Sequence, residues 1–298
     1  MGIFFFIDDK LINFNDPASM VKDEYRKYFA RKELAPFILS EICALDMLYA
    51  VQEMNSGFYK DRLVLKGGFS VRNHVPLIDH RFSFDTDFNA NTLKGFTYGD
   101  VSGIRADLLK YGSQRRCDTK TKETKDDSRL YFLEVGYWDA LKKSGYRIIE
   151  RPKIEICKQC RVFTDTVTNP INTIIDLEIL GLKPPIVTHV GIEEQFATKL
   201  FIIGSSGRQR NHFDAYDAMR IVRNNKIDWK VAKKVFDIMS ERHKVKSSDH
   251  VKECHHQLDA MLKNKGKRDN LENTVFRKDS FDYDEMVKEV KSMYTFKP

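Results

Sequence analysis

Long apolar runs are missing. No stretch of the 298 residues approaches the ~20 uninterrupted apolar residues that cross a bilayer, so a membrane-spanning helix is not expected. The opening MGIFFFIDDK has five apolar residues in a row, Ile3 to Ile7, before two aspartates. A secretory segment needs ~7–15 behind a basic residue, so this stretch reads as a buried first strand or turn and the chain as cytoplasmic. Cysteine is scarce as well: Cys43, Cys117, Cys157, Cys160 and Cys254 are an odd, scattered set of five, which argues against a disulfide framework. Cys157 and Cys160 form a CxxC, but no second CxxC completes a four-sulfur zinc site. They read as reduced thiols at a strand end, with Cys254 and His255 or His256 completing a zinc site as the alternative. A Walker GxxxxGK[ST], a GxSxG and an HExxH are all absent, which argues against P-loop, serine-hydrolase and zincin chemistry.

What is there suits a folded chain with a phosphate-rich partner. At 42% hydrophobic and 31% charged, the sequence can build a core for one large domain or two ordinary ones. The net charge is +7, and residues 208–246 carry eleven Lys/Arg against five Asp/Glu. Such a stretch favours nucleic acid, because neutralised phosphates release counterions. A solvated helix face is the plainer reading.

Helical spacing runs from Ser19 to about Met54, with Ile38, Ile42, Leu45 and Tyr49 on one stripe and a break at Arg31–Pro36. DRLVL (Asp61–Leu65) predicts a buried strand ended by Lys66-Gly67-Gly68, followed by a short helix or turn to Val75-Pro76. Arg81–Asn89 alternates as a strand: Phe82, Phe84, Thr86 and Phe88 on one side, Arg81, Ser83, Asp85 and Asp87 on the other. A helix is expected over 98–112, an exposed loop over 114–128, and strands at Leu130–Trp138 and Tyr146–Cys157. From Gly191 nearly everything is helical, with breaks near Gly204–Gly207, Asn224-Asn225, Ser247-Ser248 and Gly266. The expected fold is α/β (α+β), with an α/β domain over 1–185 and a helical domain over 186–298.

Asp85 and Asp87 on one strand face repel each other and gain nothing structurally. A divalent cation such as Mg²⁺, with its preference for hard oxygen ligands and phosphates, would give the pair a purpose. KIEIC (Lys153–Cys157) turns Glu155 outward between two core isoleucines. If that strand lies beside the first, three carboxylates converge, as metal-assisted displacement at phosphorus requires. A solvated edge strand would explain the aspartates without a cation. Gly67 and Gly68 let backbone amides approach a phosphate; Ser70 could add a hydroxyl, and Arg72 or Arg81 a positive charge. A tight turn without ligand accounts equally for two glycines.

In order along the chain, KGGFSVR, RFSFDTDF, KIEI, GIEEQFATKL and RNHFDAYDAMRI resemble the AbiEii/MenT group of nucleotidyltransferase toxins. That group belongs to the DNA polymerase β-type superfamily. The matching residues are Lys66, Gly67, Gly68, Arg72, Arg81, Ser83, Asp85, Asp87, Phe88, Glu194, Ala197, Lys199, Leu200, Arg210, Asp214, Tyr216 and Asp217. They cover about residues 60–220. Glu155 stands where Asp is commoner, Phe69 where a small hydroxylated residue is usual, and Phe213 where a basic one is usual. Asp214 and Asp217 both fit the last acidic position. Beyond about residue 225 nothing specific is recognised.

The resemblance implies a nucleotidyltransferase-type mixed sheet followed by a helical bundle, and nucleotidyl transfer from an NTP. Asp85 and Asp87 would hold Mg²⁺ or Mn²⁺, and Glu155 would help activate the attacking hydroxyl. Lys66, Gly67, Gly68 and Ser83 would cradle the triphosphate. Lys199 would offset charge on the departing pyrophosphate, with Asp214 orienting it or the base, although a surface lysine is the plainer reading. An antitoxin is implied as partner and RNA as acceptor, the 3′ end of tRNA first. A protein hydroxyl as acceptor, or an inactive nucleic-acid-binding module, are the alternatives.

Overall fold

The computed structural model describes residues 4–7, 10–13, 17–28, 35–53, 57, 59–60, 62–83, 85–90, 99–100, 102–104, 106–108, 117–122, 130–138, 148–150, 153–157, 162–205, 207–277 and 281–297, and at most the backbone of 4–18, 35, 53 and 117–150. The chain forms two compact units. One comprises Met1–Ser70, Phe82–Val162 and Thr166–His189; the other comprises Val71–Arg81, Phe163–Asp165 and Val190–Pro298.

The first unit opens with an antiparallel pair, β1 (Phe4–Ile7) and β2 (Lys10–Asn13). After the short α1 (Asp23–Arg26) comes α2 (Ala35–Glu53), and two further short helices, α3 (Gly67–Val71) and α4 (Leu177–Leu180), follow along the chain. Ile38, Ile42 and Leu45 of the stripe expected on α2 are fully buried, but so are Leu39, Ala44, Glu41 and Asp46. A helix apolar on nearly all sides belongs inside a domain, not on its surface. Its buried Glu41 accepts a hydrogen bond from Thr173 Oγ1 at 3.2 Å.

The remaining strands are β3 (Leu63–Lys66), β4 (Asp85–Ala90), β5 (Cys117–Lys122), β6 (Leu130–Trp138), β7 (Ile148–Glu150), β8 (Lys153–Cys157), β9 (Val167–Pro170) and β10 (Ile186–His189). They make one eight-stranded sheet, ordered β5-β6-β8-β4-β3-β10-β9, with β7 also on β6. β4 runs parallel to β8 and β10 parallel to β3, whereas the other pairs are antiparallel. This is the mixed sheet expected from the resemblance.

Several local readings need correction. Residues 117–122 lie in the stretch expected to be loop, yet they pair along their length with β6. Their composition, CDTKTK, lacks apolar residues because an edge strand needs only its main-chain bonds and carries charge without cost. β9 and β10 were not anticipated; both are four-residue strands, too short for alternation to show. The strand expected from Arg81 begins instead at Asp85, with Arg81 making an isolated bridge to Val275 in the second unit. Phe84 lies outside the described residues, as do Asp61, Arg31 to Glu33 and the greater part of the polar stretch 109–129. Cys157 is disulfide-bonded, against the reading as a reduced thiol, while Cys43 and Cys254 are buried and in no disulfide.

The second unit is built on α5 (Ile192–Ile203), α6 (Asn211–Asn224), α7 (Trp229–Arg242), α8 (Ser247–Leu262), α9 (Lys265–Thr274) and α10 (Tyr283–Met293). Phe196, Leu200 and Phe201 of α5 share one core with Tyr216, Phe236, Leu258 and Met286. Asp228 caps α7 and Asp282 caps α10, each accepting from a backbone N–H of the first turn. Gly266 falls inside α9 instead of breaking it; the break lies at Lys263–Asn264, and Asn264 caps the new helix.

Candidate active site

Within the first unit, the carboxylates are assembled by strand register. Lys66 of β3 pairs with Asp87 of β4, and Asp87 pairs with Glu155 of β8. Directly opposed residues share a face, with strands ~4.8 Å apart, so Lys66, Asp87 and Glu155 form one row across three strands. Asp85, two residues along, takes the same face opposite Lys153. All three acids are half-buried, while Thr86, Ile154 and Ile156 between them point into the core.

The charges in that row are strongly felt. The Glu155 carboxyl is pushed up to about 7, by burial first, then by the charges of Asp87 and Asp85 and a hydrogen bond with Asp87; Lys66 opposes the rise. A carboxyl raised by burial and then by two neighbouring carboxylates marks a place where a cation would relieve repulsion. The donor chemistry thus fits a hard divalent ion. Among the described residues no group of three or more His, Cys, Asp or Glu is already gathered to hold one.

Gly67 connects the glycine pair to the acids. It has φ +71°, and a Cβ there would overlap Asp87 Oδ2 and lie 3.1 Å from its Cγ. Glycine at 67 is therefore what lets Asp87 press against the β3–α3 turn, α3 being Gly67–Val71. Ser70 and Ser83 are buried, and Ser70 Oγ has no hydrogen-bond partner among the described residues. Phe69, the departure from the small hydroxylated residue, is 0% exposed and serves the core.

Arg72, Arg81, Lys199 and Asp214 fall in the second unit. There Lys199 Nζ lies 3.0 Å from Asp214 Oδ1 and 2.7 Å from Asp217 Oδ2. Both candidate aspartates therefore contact the lysine. Arg81 donates to both Asp217 oxygens at 3.0 and 2.7 Å, and Arg208 donates to Asp214 at 2.9 Å. Burial raises the Asp217 carboxyl, but Arg81 and Lys199 outweigh it and hold the group below its ordinary value. Lys199 is 3% exposed, which excludes the plain surface lysine. Arg81 also stacks over Phe213, 4.6 Å from the ring centroid. The aromatic thus occupies the motif's usual basic position as a platform for a cation from elsewhere. Arg72 is 1% exposed.

Glu194 proves to be an anchor: its Oε2 accepts from the Phe163 and Thr164 amides at 2.6 and 3.0 Å. Arg208 and Asp217's double pairing were the parts sequence reasoning missed. Arg208 sits in a run of basic residues whose pattern did not distinguish it. That run is also less open than its composition suggests. Arg220 is buried against Asp79, and Arg208, Arg223 and Lys233 are in ion pairs, whereas Lys226, Lys230, Lys234, Lys244 and Lys246 are exposed.

Three comparisons bear on this arrangement. The family model described as nucleotidyl transferase AbiEii toxin, type IV TA system, matches residues 50–294. No curated protein matches. Among solved structures, the nucleotidyltransferase toxin MenT4 from Mycobacterium tuberculosis H37Rv is similar at TM-score 0.63 and 18% identity, over 94% of this chain and 89% of that one. JHP933 from Helicobacter pylori has TM-score 0.46 and 13% identity, over 86% and 90%.

Proposed function

We propose, from the premise that this chain belongs to the AbiEii family of nucleotidyltransferase toxins of type IV toxin–antitoxin systems, that it transfers a nucleotide from an NTP to the 3′ end of an RNA, tRNA first. The observation that supports the reading is the row Lys66–Asp87–Glu155 with Gly67 closed against Asp87. A bond forms between the acceptor oxygen and the α-phosphorus as the α–β phosphoanhydride breaks, and pyrophosphate leaves. A divalent cation held by Asp85, Asp87 and Glu155 would supply charge neutralisation on the phosphates.

The chain's own residues would do the rest. Glu155 would help activate the acceptor hydroxyl by accepting its proton. Lys66 and the turn at Gly67-Gly68 would bind triphosphate oxygens. Lys199, its ammonium fixed by Asp214 and Asp217, would offset charge on the leaving pyrophosphate. Arg81 is then a positioning residue through Asp217, not a phosphate ligand. The exposed lysines from Lys226 to Lys246 suit an RNA backbone, and an antitoxin would restrain the activity in the cytoplasm. Among the described residues no helix is long and apolar enough to cross a membrane.

Induced expression of wild type and Asp85→Asn tests the reading: wild type should arrest growth and the variant should not. Equal arrest by both would overturn it. Purified protein given labelled NTP, total RNA and a lysate should label RNA; label in protein would move the acceptor to a side-chain hydroxyl.

A further inference from the structure

The start of α6 holds polar nitrogens that the fold leaves unanswered. Asn211 and His212, its first two residues, are 0% and 2% exposed. Asn211 Oδ1 accepts from Lys267 Nζ at 2.6 Å, but its Nδ2 has no hydrogen-bond partner among the described residues. Neither ring nitrogen of His212 has one. The residue before the helix, Arg210, supplies no side-chain cap, so the first-turn N–H groups gain no capping oxygen from it. Asp214, the acid of that turn, is committed to Lys199 and Arg208.

Leaving several buried donors unmet costs stability at each, and here they cluster where a helix terminus already favours negative charge. The surroundings are positive: burial first, then Lys267, Arg81 and Arg210, lower the His212 imidazole to about 4, against Asp214. That field disfavours a cation and welcomes an anion. Lys267 is itself lowered by burial, so its charge is only partly answered by water.

We infer that the N-terminal end of α6 is a phosphate-binding site in which Asn211 Nδ2, the His212 ring and Lys267 Nζ donate to phosphate oxygens. A phosphate offers acceptors in several directions, matching three donors from two helices better than one water does. The ligand is a phosphate monoester or diester, supplied either by a nucleotide or by a nucleic-acid backbone. The inference goes beyond the carboxylate row and does not depend on it.

The test uses the full chain in EDTA, so that neither metal nor turnover enters. Inorganic phosphate, a nucleoside triphosphate and a short single-stranded RNA are titrated separately, following the His212 ring ¹⁵N signals and the melting temperature, with sodium chloride at equal ionic strength as control. Phosphate should shift the ring signals saturably and raise the melting temperature beyond chloride. Lys267→Met, at a half-buried position, should weaken phosphate about tenfold, as loss of one charge-assisted hydrogen bond predicts; His212→Leu should weaken it similarly. Tighter binding of the triphosphate assigns the site to the nucleotide, and tighter binding of RNA assigns it to the acceptor. No response beyond chloride, a response to inorganic phosphate alone, or an unchanged affinity in Lys267→Met would each overturn the inference. All three would leave nucleotidyl transfer standing.

Discussion

Gly67 carries two constraints that can be separated by experiment. Its φ of +71° strains any L residue, and its missing Cβ makes room for Asp87. Gly207 has nearly the same angle, φ +74°, with nothing within 4 Å of where a Cβ would stand. Gly207→Ala should therefore cost only the backbone strain, about 1–2 kcal/mol, and leave transfer activity intact. Gly67→Ala should cost that and displace Asp87 as well, lowering the rate by about 10²-fold, the loss typical of misplacing a reacting group by an ångström. Parallel measurement of melting temperature and labelled-nucleotide transfer checks both. Equal activity in the two variants would show that Asp87 tolerates movement. The DxD and the glycine pair were legible in the sequence as separate signals. That one exists to admit the other was not, because the contact joins residues twenty apart through a strand pairing.

At the scale of elements, α5 is held at both ends by hydrogen bonds to segments elsewhere in its own unit. Glu194 at its start receives the 163–164 amides. At its end, Leu200 O accepts from Tyr294 Oη at 2.7 Å and Phe201 O from the His250 ring at 2.8 Å. These carbonyls lie in the last turn, where intrahelical partners run out. Lys199 is adjacent to that pinned turn. Tyr294→Phe removes one buried donor and nothing of the ring's packing, so it should destabilise by about 1 kcal/mol, read by urea denaturation. A loss below a few tenths would mean Cys254 Sγ, 3.7 Å from the same carbonyl, suffices alone. The helices themselves were legible from 3.6-residue spacing. The tail after residue 225, which showed no motif, turns out to brace the helix carrying Lys199, a role that no local pattern encodes.

For the whole molecule, stability at acid pH follows from histidines buried neutral. His80 is pushed down to about 3, by burial first and then by Arg72 and Arg81, although its hydrogen bond to Val75 O and the charge of Asp217 favour protonation. Its folded value lies below the unfolded 6.5, so as pH falls the unfolded chain takes the proton first. Stability contributed by the neutral ring is intact above about 6.5, drains away below it, and is gone once pH passes the folded value near 3. Glu155 works in the opposite sense between its ordinary value of 4.5 and about 7. The comparison of wild type with His80→Leu isolates the histidine: the variant should lose less melting temperature between pH 7 and pH 5 than wild type. An identical slope would assign acid sensitivity elsewhere.

The order of motifs, the alternation that turns Asp85, Asp87 and Glu155 outward, and the change from mixed to helical periodicity near residue 190 were determined by the sequence itself. Each rests on spacing along one strand or helix, and spacing is a property of the chain. Tertiary structure alone decided that Asp87 stands between Lys66 and Glu155, that Lys199 is shared by two aspartates, and that 71–81 joins the helical unit. Those outcomes depend on which distant segments pair, and pairing is chosen by the burial of the whole core, not by any local run of residues.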